Sequence, residues 1–392
     1  MQGRNRRILD ASSGNIAVVL DGRAGTTTSK GTTRIQQTEG YLGDAVEAAM
    51  VANELVDQGL NVTIYTPHLG TLSGDPDRNV SVNEIPIDMT HYPNYPWSHD
   101  LIRHIAHQTP NTPVFFPLNG QTPLFIQPNR DGTIANQDDI DYLQRATHGE
   151  VGDNMVLDNH VWHKRGVHQL QALQANLDLL GLDVSSWDRL PPAYLNPSPQ
   201  ARQNAQALAS ELLPNTSGDK IPLYVHIGVA TGGIKVKAKY FPIDLWKETF
   251  DVMRERNLPI SSIVFFIPSD EDQAKDTVEV LEYAGMHGLP TVAMPERAAA
   301  SRYGWSFGTF VGFLQELSKR NGMVLGCDSM PVHAAAATGN RTVVIGNKTF
   351  SPIFYAPRDA TIALPKGTNN FTRNVRPHQV VAAMEHELSI SR

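Results

Sequence analysis

Apolar and polar positions follow two rhythms along this chain. NIAVVLDG (15–22) is a short apolar run closed by glycine and predicts a buried strand. RAGTTTSKGTTRIQQTEG (23–40) is rich in Gly and Thr without periodicity and predicts a long loop, of the kind that is functional when it lies inside a domain. In GDAVEAAMVANELVDQGL the apolar residues Val46, Ala49, Met50, Ala52, Leu55 and Val56 recur at helical spacing, and Gly59 stops the helix. NVTIYTPH is the next strand. Strand, helix, strand is the opening of a βαβ unit and implies a parallel sheet.

From 70 to about 149 the pattern is broken by Pro, Asn and Asp. DLIRHIAHQ predicts a helix and TPVFFPLN a strand, with loop elsewhere. RGVHQLQALQANLDLLGLD is an amphipathic helix, and DRLPPAYLNPSPQ after it reads as extended. The helix ARQNAQALASELL then leads to the polar NTSGDK, where a domain boundary is expected. Beyond it strands and helices alternate: IPLYVHIG, PIDLWKETFDVMRERN, SSIVFFIPS, DQAKDTVEVLEYAGMHG, LPTVAMP, TFVGFLQELSKRNG, GMVLGC, DSMPVHAAAATG and RTVVIG. That order predicts a doubly wound α/β domain. The expected organisation is an N-terminal Rossmann-like domain over 1–210 and a second over 211–370. Residues 371–392 would form a helix, HQVVAAMEHELSI, that packs back on the first domain.

Length supports two domains, because at 392 residues the chain exceeds the 250 to 300 or so that one core usually serves. A charged fraction of 19% and no apolar run of membrane length predict a globular protein without a transmembrane segment. MQGRNRRILDASSGN is basic, but no signal-type apolar stretch follows, so the cytoplasm is the expected location. The net charge of −7 speaks against non-specific nucleic-acid binding. Cys327 is the single cysteine, which excludes an internal disulfide and a Cys-rich zinc site.

Candidate chemistry concentrates in GCDSMPVHAAAATGNRTVVIG (326–346), between a strand and an alanine-built helix. Ligands of open parallel sheets bind beyond the carboxyl ends of strands. A helix start there offers unpaired N–H groups and partial positive charge to a phosphate. Pro331 fits a first turn, where its missing N–H is no loss. Two readings of Asp328 and His333 stand side by side: a helix cap with a locally satisfied imidazole, or an anion-binding loop.

The string DSMPVHAAAATGNRTVVIG resembles the signature of the bacterial heptosyltransferase-like glycosyltransferases. YLGDAVEAAM resembles their first-loop motif, and VHIGVATGGIKVKAKYFPIDLWKETF resembles the glycine-bearing loop and Lys-aromatic-Pro segment of their second domain. The resemblance covers about 40–65 and 165–360. It implies the GT-B fold, two Rossmann-like domains facing a cleft. It also implies an inverting transfer from a nucleotide-diphosphate sugar to a hydroxyl acceptor, without a metal or other cofactor. Carried over, Asp44 beside Gly43 is the general base. Lys239, Gly228, Gly43, Asp328, Ser329, Met330 and His333 form the donor site, and Trp246 is the packing tryptophan. Met330 stands where the family usually has Gly or Thr, and the loop before Gly43 is longer than the family's direct turn.

Other signals are weaker. His160, His163 and His168 in HVWHKRGVH lack the carboxylates of a metal site and read as a polar loop. The Asp-rich DDID (138–141) and SDED (269–272) read as solvated charge. The loop 230–233 lacks Walker lysine spacing. Two rival functions are a nucleotide-sugar 2-epimerase of the same fold and a non-catalytic nucleotide- or sugar-binding module.

Overall fold

The computed structural model of the protein describes residues 14–19, 26–29, 32–35, 42–66, 72–85, 99–109, 112–116, 124–126, 129, 133, 135, 195–213, 219–228, 240–268, 271–346, 360–366 and 372–390. The chain divides into two compact units, 1–194 and 195–392.

In the first unit β1 (Asn15–Val19) lies parallel to β4 (Asn61–Thr66) on one side and to β6 (Val114–Phe116) on the other. β5 (Val80–Glu84) extends the sheet in parallel, and β7 (Leu124–Ile126) closes it as an antiparallel edge. The order is β5-β4-β1-β6-β7. Helix α1 (Leu42–Asp57) packs on β1 and β4 through Val46, Ala49, Met50 and Leu55, all buried. Helix α2 (His99–Gln108) follows β5.

The segment 23–40 differs from the expected loop. It contains an antiparallel hairpin, β2 (Thr26–Ser29) and β3 (Thr32–Ile35), with Thr26 opposite Ile35. Threonine-rich runs favour extended backbone, but an almost wholly polar strand leaves no alternating apolar trace in the sequence. β5 and β7 were hidden in the same way by the Pro and Asn residues around them.

The second unit holds an all-parallel sheet in the order β10-β9-β8-β11-β12-β13. Its strands are β8 (Ile221–His226), β9 (Ile260–Ile267), β10 (Thr291–Pro295), β11 (Met323–Cys327), β12 (Arg341–Ile345) and β13 (Thr361–Ala363). In sequence terms this is 3-2-1-4-5-6, the order of a Rossmann sheet, whose direction of winding reverses between β8 and β11. The helices are α3 (Pro199–Leu212), α4 (Ile243–Glu255), α5 (Glu271–Met286), α6 (Glu296–Tyr303), α7 (Phe307–Ser318), α8 (Met330–Ala337) and α9 (Pro377–Ser389). α6 and β13 were not expected from the pattern; α6 is short and buries only Ala299.

Side chains of β8 alternate between two cores. Ile221, Leu223 and Val225 join Trp246 and Phe250 of α4 and Val380 and Met384 of α9. Tyr224 points the other way, with its ring edge-on to Phe310 and Phe313 of α7. Trp246 is fully buried, edge-on to Phe241 at 5.2 Å between ring centres, which agrees with the packing role expected of it. Each such buried apolar side chain contributes about 2 kcal/mol relative to exposure. α7 is apolar nearly all round because it lies between the sheet and α3; Gly312 is where that contact is tightest. α3 therefore belongs to the second unit, ahead of the polar 214–218 segment. α9 packs on α4, β12 and β13, in its own unit. Arg341 on β12 donates to the carbonyl of Ile390 at 2.9 Å and to that of Glu387, which pins the end of α9 to the start of β12.

Candidate functional site at the sheet switch point

The carboxyl ends of β8 and β11 meet where the sheet changes winding direction, the place where an open α/β sheet leaves a crevice for ligand. β11 ends at Cys327, and α8 begins at Met330. The two residues between, Asp328 and Ser329, turn the chain from strand to helix.

Ser329 is the N-cap residue, with extended backbone. Its hydroxyl does not cap the helix; it donates to the carbonyl of Cys327 at 2.9 Å. Its own carbonyl accepts the N–H of Val332 at 3.1 Å. Met330 and Pro331 form the first turn, and Pro331 and Val332 are buried. The first turn thus keeps its dipole without a side-chain oxygen capping it from Ser329. Such an end favours an anion.

His333 points back across that turn, and its Nε2 lies 2.9 Å from Asp328 Oδ1. A carboxylate only accepts, so Nε2 donates this bond. The two side chains are 12% and 13% exposed, so the pair is shielded from bulk water without being sealed from a ligand. Cys327 is buried and joins the core on the α4 face, so it is not a nucleophile aimed at this crevice.

The far end of α8 is fixed as firmly as its start. Gly339, at φ +80°, allows a Schellman closure in which Asn340 N–H reaches the Ala335 carbonyl and Gly339 N–H that of Ala336. The buried Asn340 side chain donates to the Leu314 carbonyl of α7 at 2.9 Å and to Thr338 Oγ1 at 2.9 Å. The alanine run 334–337 lies close against β11 and β12. TGN and AAAA are therefore the parts of the motif that hold the helix in place, while DSMPVH forms its start.

One residue of this crevice was not selected from sequence. His226 ends β8 directly beside Gly326 of β11. It lies on the same sheet face as α8, because a Cβ built on Gly326 would be 3.2 Å from His226 Cβ and 3.2 Å from Val332 Cγ1. Burial pulls the His226 pKa down from 6.5 to about 4, so the ring is neutral near pH 7. The only sequence signal was a polar residue closing an apolar strand, and its value depends on which strand lies next door. Gly228, just beyond, is buried at the same end of β8.

Other expected site residues lie in the first unit or outside the described residues. Gly43 and Asp44 lie in the first turn of α1, in the first unit, and the side chain of Asp44 is outside the described residues. Lys239, with Lys235 and Lys237, is also outside them, as are the 230–233 loop, 138–141 and His160, His163 and His168. Of SDED, Glu271 and Asp272 form the acidic first turn of α5. Among the described residues no three His, Cys, Asp or Glu side chains gather as a metal site. No helix among them is long and apolar enough to cross a membrane.

Fold and site together define a class, a doubly wound α/β protein with a helix start uncapped by its Ser329 side chain at the switch point. Solved structures narrow the likeness. The glycosyl transferase family 9 structure from Veillonella parvula DSM 2008 is 15% identical and superposes with a TM-score of 0.55, covering 99% of this chain and 98% of that one. E. coli ADP-heptose lps heptosyltransferase II is 14% identical at a TM-score of 0.49, over 95% of this chain and 98% of that one. The iron-containing dodecameric glycosyltransferase TibC from enterotoxigenic E. coli H10407 is 11% identical at 0.44, over 95% and 75%. No protein-family model matches the chain, and no curated protein matches it. The protein has the fold of the family 9 structure.

Proposed function

We propose that the protein is a glycosyltransferase of the GT-B kind, heptosyltransferase-like, which moves a sugar from a nucleotide-diphosphate donor to a hydroxyl acceptor with inversion and without a metal, in the cytoplasm. The observation that carries this reading is the Asp328–His333 pair held across the first turn of α8 at the switch point of a 3-2-1-4-5-6 sheet. A helix start of this kind suits the diphosphate of a nucleotide sugar, and the fold is that of a family 9 glycosyltransferase structure.

In this reading the Asp44 carboxylate takes the proton of the acceptor hydroxyl as its oxygen attacks the anomeric carbon. The bond from that carbon to the diphosphate oxygen breaks, and the electron pair leaves with the nucleoside diphosphate. Charge growing there is met by the α8 N-terminus and by Lys239. Asp328 and His333 orient the donor, with Ser329, Met330 and Gly228 lining its place. Gly43 joins the donor-binding set. The first unit serves the acceptor and the second the donor.

Transfer is tested by incubating the protein with nucleotide sugars and pooled hydroxyl acceptors in chelator, and reading the anomeric configuration of the product by NMR. Inverted product, lost in Asp44→Asn, supports the reading. Turnover that ceases in chelator removes the metal-free part, an issue raised by the iron-containing TibC. An epimerised nucleotide sugar formed without any acceptor contradicts glycosyl transfer.

A further inference from the structure

His226 is the titratable group at the switch point that the proposed chemistry leaves unused. It closes β8, the strand that borders the crevice opposite β11, and its side chain lies on the α8 face of the sheet. Gly326 makes this arrangement possible: at that position a side chain would crowd His226 and Val332 at once, at 3.2 Å each. The imidazole is thus placed under the same helix start, whose dipole favours an anion.

Its surroundings are apolar on the protein side. β9 and α7 bring Phe266, Phe310 and Phe313 to this face, around Tyr224. Of the charged groups of the described residues at this end of the sheet, Asp328 and His333 pair with each other, while Glu271, Asp272 and Glu296 stand in the first turns of the helices that follow β9 and β10. Cys327 joins the opposite core. Desolvation sets the state of His226 in the free protein. A multiply charged anion would reverse that balance, because an opposite charge within a few ångströms favours the protonated ring.

Resting on the donor-site reading above, we infer that His226 is a further ligand-contacting residue of this site: it hydrogen-bonds the diphosphate seated at the start of α8 and takes up a proton from solvent as that anion binds. The ring then supplies positive charge only when the ligand is present. A permanently charged lysine at the same buried place would carry its desolvation penalty in the free protein as well.

The test is calorimetric titration of the full chain with ADP and with inorganic pyrophosphate, at about pH 6, in buffers of different ionisation enthalpy, which counts protons taken up per ligand bound. The wild type is expected to take up more protons than the ligand's own titration accounts for. His226→Gln is expected to lose that excess and to bind about tenfold more weakly. Equal affinity and equal proton count in wild type and His226→Gln would overturn the inference and leave the donor site standing. His226→Asn serves as a second variant. Should neither variant fold, a wild type that binds ADP with no excess uptake overturns the inference unaided. If neither ADP nor pyrophosphate binds the wild type, the donor-site reading itself fails, and the inference with it.

Discussion

His333 reaches back five residues to Asp328, Nε2 to Oδ1 at 2.9 Å, and so closes a polar ring around the first turn of α8. The pair is partly shielded, and its contribution to folding is modest, about 1 kcal/mol. Its expected importance lies in ligand binding. Asp328→Ala is predicted to shift thermal unfolding by only a few degrees and to weaken nucleoside diphosphate binding about tenfold or more. A large loss of stability with unchanged binding would make the pair a structural device instead.

His226 sets a pH dependence whose sign follows from its lowered pKa. The unfolded chain binds a proton near pH 6.5, while the folded one refuses it until about 4. Between these values the unfolded state holds more protons, so this contribution to stability falls as pH drops through the window. The full effect is about 3 kcal/mol by pH 4. Urea unfolding of wild type and His226→Gln at stepped pH values should show a shallower decline in the variant. Parallel declines would contradict the assignment.

Gly312 marks the closest approach of α7 to α3. A Cβ there would meet Ala205 Cβ at 2.7 Å, with the Ala201 carbonyl and Pro197 just beyond. Alanine improves helix propensity by up to about 1 kcal/mol, but overpacking against a rigid Cβ outweighs it. Gly312→Ala is predicted to destabilise by a net 1 to 2 kcal/mol or so, measured by denaturant unfolding. A gain in stability would show that the two helices can separate at little expense.

How legible this was in the sequence depended on which physical signal each element leaves. In the second unit most strands are apolar runs and most helices amphipathic, so the alternation from IPLYVHIG to RTVVIG predicted the parallel sheet, with Trp246 buried as expected. The hairpin at 26–35 left no such signal, because threonine extends the backbone without marking an apolar face. DSMPVH was recognisable as a helix start beyond a strand, and Asp328 and His333 do come together there. His226 was not recognisable, because its partner Gly326 lies 100 residues away and strand order alone makes them neighbours.

Asn340 ties the C-terminus of α8 to α7 through the Leu314 carbonyl, and it is buried. Asn340→Ala strands that carbonyl and is predicted to lower stability by about 1 to 3 kcal/mol. Because α8 would then be less firmly seated, ligand binding should weaken as well. Unfolding and binding measured on the same preparation check both, and unchanged affinity would separate the helix anchor from the site.

The central claim is that a nucleoside diphosphate binds where Asp328, His333 and the first turn of α8 meet. The most direct test is thermal unfolding of wild type and Asp328→Ala with ADP, UDP, GDP and TDP, in chelator. A diphosphate at about a hundredfold excess over its dissociation constant stabilises the folded state by about 2.7 kcal/mol, well within reach of the method. The account predicts that one of the four raises the wild-type midpoint and that Asp328→Ala loses most of the shift. A wild type indifferent to all four, or an Asp328→Ala that shifts as far as the wild type, would contradict it.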